Sequence, residues 1–255
     1  MNQTAFPEHP ARRRAVYVLS NTDLERCAYE PGAMRSLTDD EAYIVEFPVP
    51  IDDHSPIALR QLANTGLMRP GKVLAQSPFD PDLYEDAAEA QQKFALAKHM
   101  YFSTFCMHLG AREVVVDQLD YRKGSTSGSY KFGGERNGIG GQVGVKVGEA
   151  ESLRTQMSLR DSFTGGPPDL DSAAALLMRT GLTSDANMRS LLELRRDGAN
   201  KLLERTLSIS LSSEVRSNLS VVARIKVPTF LKLSAEYGKA VKEELEFRLT
   251  VTVRF

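Results

Sequence analysis

Nine of the chain's eighteen glycines fall between Gly124 and Gly148, in a stretch that also alternates between apolar and small or polar residues, GSTSGSYKFGGERNGIGGQVGVKVG. A period of two sends successive side chains to opposite faces of a strand, so the segment predicts a β-hairpin. Asn137-Gly138 supplies residues that tolerate positive φ at the two central turn positions. That turn pairs Phe132 with Val143, Tyr130 with Val145 and Gly128 with Val147. The apolar residues then share one face, and Ser127, Ser129, Lys131, Gln142, Gly144 and Lys146 the other. A slip of one residue destroys the match.

The end of the sequence repeats the pattern with bulky residues. Leu245, Phe247, Leu249, Val251, Val253 and Phe255 interleave with Glu246, Arg248, Thr250, Thr252 and Arg254. Each full burial contributes roughly 1.5–3 kcal/mol, so this strand belongs in the core. Further strands are expected at Ala15–Leu19, Ala42–Phe47, Glu113–Leu119, Thr155–Leu159, Leu207–Leu211 and, from the alternation of Leu219, Val221, Ala223, Ile225 and Val227, in that segment too.

Helices are marked by their punctuation. Ser55-Pro56 reads as an N-cap and first-turn proline opening a helix through about Ala63, closed by Gly66. Residues 83–109 contain good helix formers without Gly or Pro, and Gly110 ends them. A helical pair follows at about 169–197. Its first member runs from Asp169 or Asp171 to Arg179 before Gly181, its second from Ser184 or Asp185 to Arg196 before Gly198. Thr229–Val241 suits either strand or helix. Strands interrupted by clustered helices make the fold class α+β, a mainly antiparallel twisted sheet with one long helix and one helical pair. Nine of the twelve prolines lie in residues 1–81. That stretch is expected to be a proline-rich N-terminal subregion packed on a main domain, 82–255, which carries the glycine hairpin at 124–148.

Candidate chemistry is sparse, and no catalytic residue, metal or cofactor is assigned. His99 and Cys106 share a helix face but lie about 10 Å apart along its axis, too far for one zinc ion with ligands at roughly 2.0–2.3 Å. Cys106 and His108 point about 200° apart. Asp52-Asp53-His54 stands where acidic residues favour a helix start. Asp117 and Asp120 near Arg122-Lys123 lack the acidic-x-Lys spacing of a nuclease. Gly138-Ile139-Gly140-Gly141 is followed by a strand pattern instead of the helix whose amides hold a phosphate. Arg189, Arg195, Arg196, Lys201 and Arg205 cluster as a basic patch, read as a solvated face with an acidic partner as the sharper option. Arg12-Arg13-Arg14 is read the same way.

A net charge of −1 gives no global attraction to nucleic acid, which is therefore not an expected partner. Two cysteines, Cys27 and Cys106, point to a reducing cytoplasm instead of a disulfide framework. The N-terminal MNQTAFPEHPARRR lacks the apolar stretch of a secretory signal. The expected function is that of a non-enzymatic interaction or assembly protein, part of a bacterial multiprotein system, with a protein partner or a second copy as ligand. Tyr130, Phe132, Asn137, Gly138, Val143, Val145 and Val147 are the expected contact residues. The alternative is a soluble pore-former whose amphipathic hairpins insert into a membrane, since about ten residues span a bilayer as a tilted strand. The serine and glycine enrichment resembles, in composition alone, the transmembrane hairpins of aerolysin-type and gasdermin-like pore-formers.

Overall fold

The computed structural model of the chain describes residues 6–132, 148–197, 201–231, 238 and 245–255, and the backbone of 140–144. Asn137, Gly138, Val145, Val147, Gly198 and most of Thr229–Val241 lie outside the described residues. The fold is α+β. Among the described residues it holds eight α-helices and two mostly antiparallel sheets. The chain divides into two compact units, Met1–Gln91 with Glu214–Glu243, and Gln92–Ser213 with Glu244–Phe255. The division thus falls after Gln91, where the sequence suggested 81, and the first unit recovers a later segment that the sequence suggested for the main domain.

The first unit is built on β1 (Ala15–Ser20), whose residues Ala15 to Leu19 are all buried. An uninterrupted apolar run suits a strand covered on both faces. Ser20 and Asp23 form a reciprocal capping box that starts α1 (Asn21–Tyr29), and α2 (Ala33–Leu37) follows. Strand β2 (Ala42–Phe47) pairs parallel with β1. The next helix, α3 (Ile57–Asn64), ends before Gly66 at φ 71°. Ser55 does not cap it. Its hydroxyl donates to the Asp52 carboxylate at 2.9 Å and accepts the Asp52 amide at 3.0 Å, so the turn closes on itself and the cap position passes to Pro56. Strand β3 (Val73–Gln76) is antiparallel to β1, and β4 (Tyr84–Asp86) to β3.

Because Tyr84–Asp86 is a strand, the long helix α4 (Ala90–His108) begins later than its helix-forming composition implies. Tyr84 is buried and its hydroxyl accepts from Arg13 Nη1 at 2.7 Å, a tertiary contact that overrides local propensity. At the other end Gly110 has φ 79°, and the amides of Gly110 and Ala111 return to the carbonyls of Met107 and Cys106 at 2.9 and 3.0 Å. This is a Schellman closure. A Cβ on Gly110 would meet the Gly166 carbonyl oxygen at 2.2 Å, so glycine is demanded there twice over.

Strand β5 (Glu113–Lys123) turns through Gly124-Ser125 into β6 (Thr126–Lys131), with Lys123 opposite Thr126. Gly124, at φ 56°, supplies the positive φ of a two-residue hairpin loop. Strand β7 (Gly140–Gly144) pairs with β6 in a register that corrects the expected one. Ser129, and not Phe132, lies opposite Val143, and Gly128 lies opposite Gly144. The expected pairing rested on a tight turn and on an apolar stripe interrupted by glycine, and glycine-rich strands specify register weakly. A register shift between Ser129 and Lys131 completes the departure.

Helix α5 (Gly148–Gln156) then occupies part of the segment expected to be a strand. Glu149 and Glu151 sit in its first turn and Arg154 in its last, matching the helix dipole, while Ala150 and Leu153 are buried. Strand β8 (Arg160–Ser162) pairs with the start of β5. The helical pair follows as expected, α6 (Leu170–Arg179) capped by Asp169 and α7 (Ala186–Arg196) capped by Asp185. Strand β9 (Glu204–Ser210) comes next.

The segment read as an alternating strand at 219–227 is instead α8 (Val215–Arg224), a member of the first unit. Val215, Asn218, Val221, Val222 and Ile225 are buried and Ala223 is exposed, a spacing of three and four that the period-two reading overlooked. Asn218 Nδ2 donates to the Gln76 carbonyl at 2.8 Å and Tyr17 Oη to the Val222 carbonyl at 3.3 Å. Finally β10 (Leu245–Arg254) enters the centre of the second sheet, whose order is β7-β6-β5-β10-β9.

Candidate functional site

The basic residues singled out in the sequence separate into two groups. Arg195, Arg196 and Lys201 line a cleft of about 550 Å³ in the second unit, whereas Arg189 and Arg205 do not. Arg205 Nη1 donates to the Ser190 hydroxyl at 3.2 Å. Arg189 is exposed on α7.

The cleft owes its shape to the loop between β8 and α6. The Phe163 amide donates to the Arg112 carbonyl and the Asp169 amide to the His108 carbonyl, each at 2.7 Å. These bonds fix both ends of the loop, and Gly166, Pro167 and Pro168 become cleft wall. Proline offers no amide donor, so that wall is rigid and apolar. Leu202, Leu203 and Phe255 add apolar surface, and Leu203 is 71% exposed.

Arg195 belongs to the framework of the cleft. Its Nε donates to the Leu109 carbonyl at 3.0 Å, one of the carbonyls left over at the end of α4, and its Nη1 to the Leu202 carbonyl at 3.2 Å. Its guanidinium lies 4.2 Å from the centre of the Phe255 ring, a cation–π contact. Burial holds its pKa below the ordinary arginine value, and the group remains a cation. The other cations differ. Arg196 makes an exposed ion pair with Glu193 at 2.8 Å, while Arg112 and Lys201 are exposed and have no side-chain partner among the described residues. Arg112 joins the basic group only through the fold, because some eighty residues of sequence separate it from α7; Asp197 adds one carboxylate.

The hairpin residues are also dispersed. Tyr130 is 2% exposed, its ring centre 5.5 Å from that of Tyr121, and its hydroxyl donates to Glu151 of α5 at 3.0 Å. Burial, reinforced by that hydrogen bond, pushes its pKa up to about 12. Phe132 is half-buried, its amide donating to the Asp117 carbonyl at 2.8 Å.

The remaining polar candidates are accounted for by structure. Arg13 is not a solvated terminal residue: it is 3% exposed and bonds Asp82, Tyr84 and the Pro81 carbonyl, each at 2.7 Å. His99 Nε2 donates to the Ser158 carbonyl at 3.0 Å, and burial lowers its pKa, so the ring is a neutral core group. Burial pushes the Cys106 thiol well above its ordinary range, away from thiolate chemistry. Asp117 accepts from Thr252 and Asp120 from Gln118, both at 2.6 Å. Among the described residues no three His, Cys, Asp or Glu side chains are placed to hold a metal, and no helix is long and apolar enough to cross a membrane. Comparison of the chain with protein-family models, with curated protein sequences and with solved structures finds no match.

Proposed function

We propose that this chain is a non-enzymatic interaction protein that assembles with a protein partner, or with copies of itself, through β7, the strand that ends its second sheet among the described residues. The observation that carries this reading is the unequal guarding of the two sheet ends. At one end β9 carries Glu204 and Arg205, and Glu204 is tied across the strands to Arg254 at 2.7 Å. At the other, β7 reads Gly-Gly-Gln-Val-Gly, without a charge or a proline. Charges and prolines are the usual protection of an edge, whose row of amides and carbonyls otherwise accepts another strand. Two free, buried cysteines, Cys27 and Cys106, fit action in a reducing compartment such as the cytoplasm.

Size-exclusion chromatography with light scattering, with and without liposomes, tests the reading. The wild-type chain is expected above its monomer mass of 28.2 kDa, and Gln142→Lys, which puts a charge on the edge, is expected to return it to that mass. An assembly unaffected by Gln142→Lys overturns the edge as the contact. The alternative of a pore-former draws on the lengths of β5 and β10, 11 and 10 residues, which match a membrane-spanning strand, whereas the glycine-hairpin strands β6 and β7, expected to have that length, run 6 and 5 residues among the described residues. Co-elution with liposomes, with dye released from them, would favour it over assembly in solution.

A further inference from the structure

We propose that the cleft between the Gly166–Pro168 loop and the end of α7 is a docking site for a short acidic segment of a partner protein. Carboxylates of that segment lie against Arg112, Arg196 and Lys201, and a bulky apolar side chain between them lies against Pro167, Pro168 and Leu203. The charges point to an anionic occupant. Among the described residues four cations line the cleft with one carboxylate, Asp197; Glu193, outside the lining, pairs with Arg196, and Arg112 and Lys201 have no side-chain partner among the described residues. Arg195, held on two backbone carbonyls beneath Phe255, adds a partly desolvated positive charge that cannot swing away.

The walls then select among anions. A free phosphate or small carboxylate uses the cations and leaves the Pro167-Pro168 wall and Leu203 uncovered. Leu203 is a large aliphatic side chain with 71% of its surface in water, at the edge of a cleft whose volume of about 550 Å³ is in the range of specific ligand sites. A nucleic-acid strand fits less well, because such strands bind on successive free aromatic faces and Phe255 already carries Arg195. An acidic peptide with an apolar anchor uses both kinds of surface, the usual division of an interface into charged rim and apolar centre. The cleft shares no residue with β7, so either site fails without the other.

The test uses the full chain and fluorescence anisotropy with a fluorescein-labelled peptide, Asp-Glu-Leu-Phe-Glu-Asp, and its uncharged twin with Asn and Gln in place of the acids. The acidic peptide is expected to bind, more weakly as salt rises from roughly 50 to roughly 300 mM. The twin is expected to bind at least about tenfold more weakly. Lys201→Glu and Arg196→Glu should each weaken binding about fivefold or more, the scale of one exposed ion pair lost and a repulsion gained. Leu203→Ser should weaken it by a similar factor, and Arg189→Glu, on the same helix but outside the cleft, should leave it unchanged. All four positions are exposed, so melting temperatures should match the wild type. Equal binding of both peptides, or equal losses from Arg189→Glu and Lys201→Glu, overturns the assignment, as does displacement by inorganic phosphate or by a DNA oligonucleotide at the peptide's own concentration. Unchanged peptide binding by Gln142→Lys shows that the cleft acts apart from the sheet edge, and its loss there overturns the cleft as the seat of binding.

Discussion

Strand β10 and the glycine arms alternate with the same period, yet they occupy opposite situations in one sheet. β10 lies between β5 and β9, with Leu245, Phe247, Leu249, Val251 and Val253 all buried. Among the described residues β7 ends the sheet, with Gly140, Val143 and Gly144 opposite Lys131, Ser129 and Gly128 of β6. The difference teaches what alternation is worth. Where large side chains occupy every second position, a slip of one residue would expose the whole set, so burial fixes the register. Where glycine occupies those positions a slip exposes little, and the pairing is decided by neighbours. Here one such neighbour is Tyr130, held between Tyr121 and α5.

Removing Leu249–Phe255 is the harshest test of that contrast. It takes the buried Leu249, Val251, Thr252 and Val253 from the sheet centre and leaves β5 and β9 without most of their shared partner, so soluble expression and a cooperative melt should both be lost. A truncated chain with unchanged melting would make β10 peripheral. Phe247→Ala should cost about 3–5 kcal/mol by denaturant unfolding, the range for large core truncations. On the hairpin, Tyr130→Phe removes one hydrogen bond to Glu151 and should cost only about 1 kcal/mol. Comparable losses at both positions would erase the distinction.

The register itself can be checked with cysteines. Ser129→Cys with Val143→Cys should close a disulfide under mild oxidation, because directly opposed Cα atoms lie about 4.5–5.5 Å apart, within the reach of a disulfide. Phe132→Cys with Val143→Cys should not. The opposite outcome restores the register with the tight turn at Asn137-Gly138.

The smallest effects are in pH. Glu113, at the joined ends of β5 and β10, is held below its ordinary value of 4.5 by hydrogen bonds from Arg254 and Arg160. Its stabilisation is present above that value and lost as pH falls through its folded pKa. Tyr130 has the reverse sign. Its folded pKa is raised from 10.0 to about 12, so its stabilisation is intact below pH 10 and lost as pH climbs towards 12. Glu113→Gln should flatten the acid limb of the melting curve against pH, and Tyr130→Phe the alkaline limb. Unaltered limbs in the two variants would detach those groups from stability.

What the sequence made legible follows the same physics. Punctuated helices came through, because Asp169, Asp185, Gly110 and Gly181 act within a few residues of themselves. Strand β10 came through because its pattern is dense. The misread segments each lost to a distant partner or a competing period. Tyr84 left the helix-forming run for β3 and Arg13. In α8, Val221 and Ile225 satisfy both a period of two and a helical face, and only Val215, Asn218 and Val222 decide between them. In the cleft, Arg195, Arg196 and Lys201 were visible as a local cluster, whereas Arg112, Pro167 and Phe255 arrive there through the fold and leave no local mark.

The return of α8 to the first unit has a consequence for how the protein is made. The Tyr17 hydroxyl meets the Val222 carbonyl across a sequence separation of 205 residues. At about 5–20 residues per second, β1 is synthesised roughly 10–40 s before its covering helix exists. The second unit waits longer still, since β10 follows α8 in the chain and supplies the middle of its sheet. Neither unit reaches its final packing while the ribosome is still making residues 92–213. During that interval the apolar surface of β1, and the side of β5 that β10 will later cover, are exposed to anything in the cell that recognises unfinished sheets. Holdase chaperones are therefore expected to engage this nascent chain late, and a premature stop anywhere before α8 should leave both units incomplete and yield fragments marked for proteolysis and not a surviving half-protein.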